Sequence, residues 1–289
     1  QKRDQLKTLH AMVSPIIILN FPEESLALLE QGAKISKELD DQKSLIRFYS
    51  NMGFFHSVKG RHREGIRFSG KAFAEATAIN DLTAMAQAAP DICLSHFSTG
   101  RFEKVIEITS TMIHAIHKAE REQDNFGGPA IIYPALYALS GSSLAHLGRF
   151  DEAMANCVYG LEAAMESGNL ITIGLCHYHV GMVQLLKGAW SAASDSFMSC
   201  LDGLEPVDFV EIEALAKGGL GVARAYLQDP LKGRTLAEAG LRAFQEAGTR
   251  GQVSALQCYV GICCHACGDF AEARLFVNQS LASAMENGE

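Results

Sequence analysis

The residues best equipped for chemistry gather near one end of the chain. Cys258, Cys263, Cys264, His265 and Cys267 place four thiols and an imidazole within ten residues. Sulfur and imidazole donors of this kind suit zinc or another borderline transition metal. A structural zinc site, however, usually draws its ligands from a turn pair and a second, distant pair. Here all five residues fall on one predicted helix, where Cys263 and Cys267 share a face and the others point around it. The cluster therefore reads as small, polarizable packing residues. No metal ligands are assigned, and a helical metal-binding protein is kept as an alternative.

The ten histidines give no stronger signal. His114 and His117 are three apart and His177 and His179 two apart, neither pair has an evident third ligand, and there is no HExxH motif. His56 and His96 occupy equivalent positions 40 residues apart, which predicts a ladder of packed rings along one ridge. The chain has no GxSxG elbow and no GxxxxGK[ST] loop. No catalytic or cofactor-binding residue is assigned, and no enzymatic activity is expected of this segment.

The elements that carry these residues are helices. Leu45, Phe48, Tyr49 and Met52 recur at i, i+3, i+4 and i+7, and no stretch sustains an alternation of period two. A hydrophobic share of 48% supplies a core, while 20% charged residues excludes long disorder. The net charge of −8, with no basic stripe, argues against nucleic acid as a partner. The apolar run Ile16-Ile17-Ile18-Leu19 is too short to cross a membrane, and nothing at the start reads as a signal peptide. Eight cysteines scattered through apolar helical stretches suit a reducing cytoplasm. A first residue Gln1 suggests a piece of something longer.

The decisive feature is an internal repeat. A glycine-led signature reads GRHREG from Gly60, GRFEKV from Gly100, GRFDEA from Gly148, GAWSAA from Gly188 and GDFAEA from Gly268, with a relative, NFPEES, from Asn20. The intervals are 40, 40, 48, 40 and 80, so a further unit is expected around Gln228. Twenty residues beyond each signature stands a turn former or an acidic residue: Asp40, Asn80, Glu120, Gly168, Asp208, Gly248 and Gly288. Each unit is thus two helices of about 17 residues, each roughly 25 Å long. The expected division is 2–41, 42–81, 82–121, 130–169, 170–209, 210–249 and 250–289, with an insertion loop at 122–129. Pro230 and Gly233 make the sixth unit atypical and predict a late start for its second helix.

Small residues stand seven before each signature (Gly53, Cys93, Gly141, Gly181, Gly221, Gly261) and five after it (Gly65, Val105, Ala153, Ala193, Ala273). With the paired helices, this pattern resembles tetratricopeptide repeats over nearly the whole chain, at a stride longer than their usual period of about 34 residues. The resemblance implies an all-α solenoid of about seven helix–turn–helix units. Forty-residue units of this sort are similar to the C-terminal arms of class III adenylate cyclase/ATPase fusions and of ATP-dependent LuxR-type regulators. The stretch from Phe126 to Pro134, running into Leu144–Ala153, looks more like the cyclase-linked arms.

In such arrays the first helix of each unit lines the concave side. Carrying that property over predicts a partner-binding groove containing Arg47, Phe54, Leu94, Phe97, His146, Tyr178, Met182, Tyr226 and His265. Apart from Arg47 and Lys7 it lacks the basic residues with which chaperone-binding relatives clamp a carboxylate. An apolar groove of this kind suits a protein, a peptide or a linked domain of the same chain. The resulting expectation is a non-catalytic interaction and regulatory module of a larger bacterial signalling protein. The alternative is the sensor arm of a nucleotide cyclase whose catalytic domain lies outside this segment.

Overall fold

A computed structural model describes residues 1–18, 21, 22, 24–207 and 209–289. Asn20, where the first signature begins, and Asp208, one of the turn positions, lie outside the described residues, as does Leu19 of the apolar run. Fourteen helices follow one another in pairs, with no strand among the described residues: α1 (Lys2–Ile18) and α2 (Ser25–Glu38), α3 (Gln42–Val58) and α4 (His62–Ala78), α5 (Leu82–Ser98) and α6 (Phe102–Lys118), α7 (Ile132–His146) and α8 (Phe150–Ser167), α9 (Leu170–Lys187) and α10 (Trp190–Leu204), α11 (Val210–Tyr226) and α12 (Pro230–Glu246), α13 (Val253–Ala266) and α14 (Phe270–Asn287).

The sequence dictates where these helices stop. Gly60, Gly100, Gly148, Gly188 and Gly268 all have φ between 69° and 81°, the left-handed region that glycine enters at little cost. The halfway positions do the same with other residues: Asp40, Asn80 and Glu120 share a φ of 53°. At such a stop the Arg61 N–H donates to the His56 carbonyl at 2.7 Å and the Gly60 N–H to Ser57 at 3.1 Å, so the last carbonyls of α3 are satisfied. Helix starts are capped by side chains. Asp41, Asp81 and Asn169 accept from the N–H groups of Ser44, Ala84 and Thr172 at 3.1, 3.1 and 2.9 Å.

The second helix of the sixth pair does not start late. Pro230 sits in its first turn and Asp229 caps it, because a residue without an N–H is tolerated where that N–H has no helical partner. Gly233 then permits the closest approach of α11 and α12, since a Cβ added there would lie 2.5 Å from the Gly221 carbonyl.

The odd-numbered helices pack on one another as an inner layer, and each even-numbered helix lies outside, between its own odd partner and the next. Across the coil, the Tyr259 hydroxyl on α13 reaches Met182 Sδ on α9 at 3.4 Å. From α3 onward, the inner neighbours that touch most sparsely are α5 and α7. The loop between α6 and α7 fills that gap. Phe126 is buried there under the Arg121 guanidinium, 4.3 Å from its ring, and its carbonyl accepts from Gln87 at 2.8 Å. The predicted histidine ladder takes a different form. His56 stacks on Phe68 of the neighbouring outer helix, with centroids 5.4 Å apart and planes 3° apart.

Candidate recognition face

The inner layer is open at one end of the coil and filled at the other. In the C-terminal half, Tyr178 and Met182 are 8% and 7% exposed and share one core with Leu215, Val222 and Val260. Two of the nine groove residues expected from the sequence are therefore core residues, not surface anchors. Glycines set this tight coil: a Cβ on Gly219 would lie 2.5 Å from the Phe197 ring, which is itself fully buried.

Five more of the nine form contacts between pairs or within one. The His146 ring stacks on Phe102 at 4.6 Å, and Phe97 meets both rings edge-on, at 5.0 Å from His146 and 5.3 Å from Phe102. Tyr226 stacks on Trp190 at 4.2 Å with planes 10° apart. In both places, a ring at the end of an inner helix covers the aromatic that opens the preceding outer helix. His265 meets Phe270 edge-on at 5.3 Å. Phe54, half-buried, packs edge-on against Phe21 at 5.3 Å.

Arg47, exposed on α3, and Leu94, half-buried on α5, are the remaining two. A cavity of about 130 Å³ between these helices is lined by Arg47, Ser50, Thr83 and Gln87. It shares Lys43, Asp81 and Thr83 with a wider recess of about 1020 Å³ at the rim, formed by the starts of α1, α3 and α5 and carrying Arg3, Lys7 and His10. Asp41 and Asp81 also line the recess but spend an oxygen each on capping. Arg3, Lys7, Lys43 and Arg47 have no ion-pair partner among the described residues. Further along α5, Asp91 is partly covered as a residue, and burial pushes its carboxyl up to about 8. Sequence reasoning missed Lys43 and Asp91. They stand one turn above Arg47 and one turn above Leu94, so extending the same helical stripe was the available signal.

The cysteine cluster is divided by its helix. Cys263 and Cys264 are buried, Cys258 and Cys267 half-buried, and His265 exposed. Burial pushes the Cys263 thiol up to about 12, which removes thiolate character. The one potential metal grouping among the described residues is Glu238, Cys264 and Glu272, with donor atoms within 4.8 Å of one another. Arg234 already serves this group as its cation. Its Nε donates to Glu238 at 2.7 Å, one terminal nitrogen donates to Asp269 at 3.2 Å, and the other pairs with Glu272.

No protein-family model matches the sequence, and neither does any curated protein. Solved structures do match. The apo form of RapI superposes with a TM-score of 0.73 at 10% identity, over 99% of each chain. NprR in complex with its cognate peptide NprX gives a TM-score of 0.68 at 11% identity, over 98% of this chain and 78% of that one. A signal transduction ATPase with numerous domains and a tetratricopeptide repeat sensor, from Pyrococcus horikoshii, gives 0.56 at 14% identity, over 98% of this chain and 44% of that one. At such identities the likeness carries the fold, and on that ground the chain is a tetratricopeptide-like helical-repeat superhelix.

Proposed function

We propose that this chain is a non-catalytic recognition module that takes an acidic peptide segment on the inner face of α1, α3 and α5. One observation carries the reading: the inner layer is filled from α9 to α13 but open between α3 and α5, where Lys43 and Arg47 stand unpaired beside the cavities. These cations are exposed, so each attracts a carboxylate only modestly, and the pull adds up over Arg3, Lys7, Lys43 and Arg47. The polar floor of Ser50 and Gln87 suits the backbone of an extended segment. NprR, with the same fold, is solved with a peptide bound, which supports the class of ligand. The test is a peptide array that varies acidic content, probed with the wild type and with Lys43→Glu/Arg47→Glu. Acidic peptides retained by the wild type should be lost by a variant of equal thermal stability. An unchanged binding pattern removes the assignment.

As the sensor of a larger signalling protein, the module would transmit binding by a change in coil geometry. The likeness to a signal transduction ATPase with a repeat sensor supports such an arrangement, and a nucleotide cyclase is one candidate for the linked domain. Eight free thiols support a reducing compartment such as the cytoplasm. No helix among the described residues is long and apolar enough to cross a membrane.

A further inference from the structure

The inner helices from α3 to α13 share one place in the repeat, held in turn by Asn51, Asp91, Leu139, His179, Gly219 and Tyr259. Polar side chains at this place find partners. His179 of α9 reaches back to α7, where its Nδ1 meets the Ser142 hydroxyl at 2.7 Å. The Tyr259 hydroxyl of α13 donates to Met182 Sδ of α9 at 3.4 Å. Asn51 of α3 donates to the Arg47 carbonyl on its own helix at 2.7 Å. Leu139 and Gly219 have no polar side-chain atom to satisfy. Asp91 of α5 is the exception. It has no hydrogen-bond or ion-pair partner among the described residues, and no cation of the chain offsets the burial that raises its carboxyl. A carboxyl half-buried without a partner is a cost to the fold.

The place of Asp91 relative to the cations of the inner face gives that carboxyl a use. Gln87, one turn before it on α5, lines the cavity between α3 and α5, and Arg47 lines the same cavity from the equivalent place on α3. At about 1.5 Å per residue, Asp91 stands about 6 Å further along the cleft than the level of Arg47 and about 12 Å further than that of Lys43. An extended segment advances about 3.3 Å per residue, so these intervals span about two to four of its residues. Unpaired cations therefore stand at the rim of the cleft and an unpaired carboxyl further in.

We propose that Asp91 is a second subsite of this face and takes an ammonium group of the ligand, about two to four residues along an extended segment from the carboxylate held by Lys43 and Arg47. The inference rests on the acidic-peptide reading and narrows it to a dipolar segment, negative at the rim and positive inside. The arriving cation removes the cost of the unpaired carboxyl, since it favours the ionised form where water screens the pair less than on an open surface. A segment that carries only acidic residues leaves Asp91 facing an uncharged chain and binds less tightly. The ammonium comes from a lysine side chain or from a free amino terminus.

The probe is an array of synthetic octapeptides joined to the support at their C-termini, with a glutamate pair at a fixed place and serine or alanine elsewhere. In one series, acetylated at the N-terminus, lysine is moved residue by residue away from the glutamates on either side, each peptide matched by a norleucine control. A second series has no lysine and compares free with acetylated N-termini. Retention is measured for the wild type, Asp91→Asn and Lys43→Glu/Arg47→Glu, with melting of each to confirm the fold. The wild type should retain lysine peptides about fivefold or more over their controls when the charges are about two to four residues apart. Asp91→Asn, which keeps the shape and a hydrogen-bonding head, should lose that preference and still hold the acidic controls. The series that shows the preference identifies the source of the ammonium. Equal retention with and without an ammonium, or a preference that Asp91→Asn keeps, overturns the inference, while loss of the acidic controls by the charge-reversed variant still upholds the peptide face. Acidic controls that the charge-reversed variant holds as well as the wild type remove the face itself, and the Asp91 subsite with it.

Discussion

His62 Nε2 lies 2.9 Å from the carbonyl oxygen of Gly251, joining residues 189 apart in the chain. The bond belongs to a seam between the first and last parts of the coil. The Arg250 N–H donates to the Val58 carbonyl at 2.9 Å, and the Glu289 carboxylate lies 3.5 Å from the same imidazole nitrogen. A stack of helix pairs needs only neighbour contacts to hold together. The seam adds a contact between successive turns and limits how far the coil can open.

Breaking the seam should loosen the coil without unfolding its pairs. His62 is fully buried, so His62→Ala leaves the Gly251 carbonyl without its partner, at a cost of about 1–3 kcal/mol. Gly251→Val attacks from the other side, because a Cβ there would already sit 2.6 Å from the Ser57 carbonyl. Small-angle scattering should report a larger radius of gyration for both variants with helix content unchanged. Equal radii would mean that the seam is a passive contact.

The loop between α6 and α7 is a structural wedge, and removing its tip should be costly. Phe126→Ala empties a buried ring site between two inner helices that scarcely meet otherwise. A buried phenylalanine truncated in this way costs about 3–5 kcal/mol. Urea denaturation checks the value. A loss below about 1 kcal/mol would show that the gap closes without the ring.

Much of this architecture was legible because helix stops are local. Gly60, Gly100 and Gly148 announce a left-handed turn in a few residues, so the stride and the pairing follow from the sequence. The filling of the coil was not legible. Tyr178 and Met182 occupy positions that face inward in any such array, but whether inward means solvent or core depends on curvature. Curvature accumulates from small crossings such as Gly219 on Phe197 and has no single-residue signal. The His62–Gly251 bond depends on the same accumulation. The start of α12 has a simpler cause: proline breaks a helix interior, but Pro230 stands in the first turn, where a helix tolerates it.

Gln228 holds the turn of the sixth pair at a φ of 69°, where its counterparts Gly148, Gly188 and Gly268 carry no side chain. The left-handed region costs a residue with a Cβ about 1–2 kcal/mol, and the greater freedom of glycine in the unfolded chain returns part of that. Gln228→Gly should therefore stabilise the chain by about 0.5–1 kcal/mol. Gly188→Gln, the reciprocal change, should destabilise it by a similar amount in the same urea assay. A destabilised Gln228→Gly would mean that the glutamine side chain makes a contact worth more than the strain.

Two buried histidines and one buried acid give stability opposing slopes with pH. Burial holds His179 down to about 3, with the nearby His146 adding to the effect, and its Nδ1 meets the Ser142 hydroxyl at 2.7 Å. Burial likewise holds His56 down to about 4. Both titrate near 6.5 once unfolded, so as pH falls below that value the unfolded chain takes up protons that the folded chain refuses. Between pH 7 and pH 5 each histidine should remove about 2 kcal/mol of stability. His179→Gln, which keeps a polar head for Ser142, should abolish its share. Asp91 acts in the opposite sense. Its carboxyl titrates near 3.8 when unfolded and about 8 when folded, so the stability it contributes is full below about pH 4 and is lost as pH rises toward 8. Asp91→Asn should therefore gain on the wild type steadily from pH 5 to pH 8. Because two histidines oppose one acid between about pH 4 and 6.5, the wild type still loses stability on acidification there, His179→Gln flattens the profile and Asp91→Asn steepens it. Parallel profiles for all three proteins would mean that these groups titrate alike folded and unfolded.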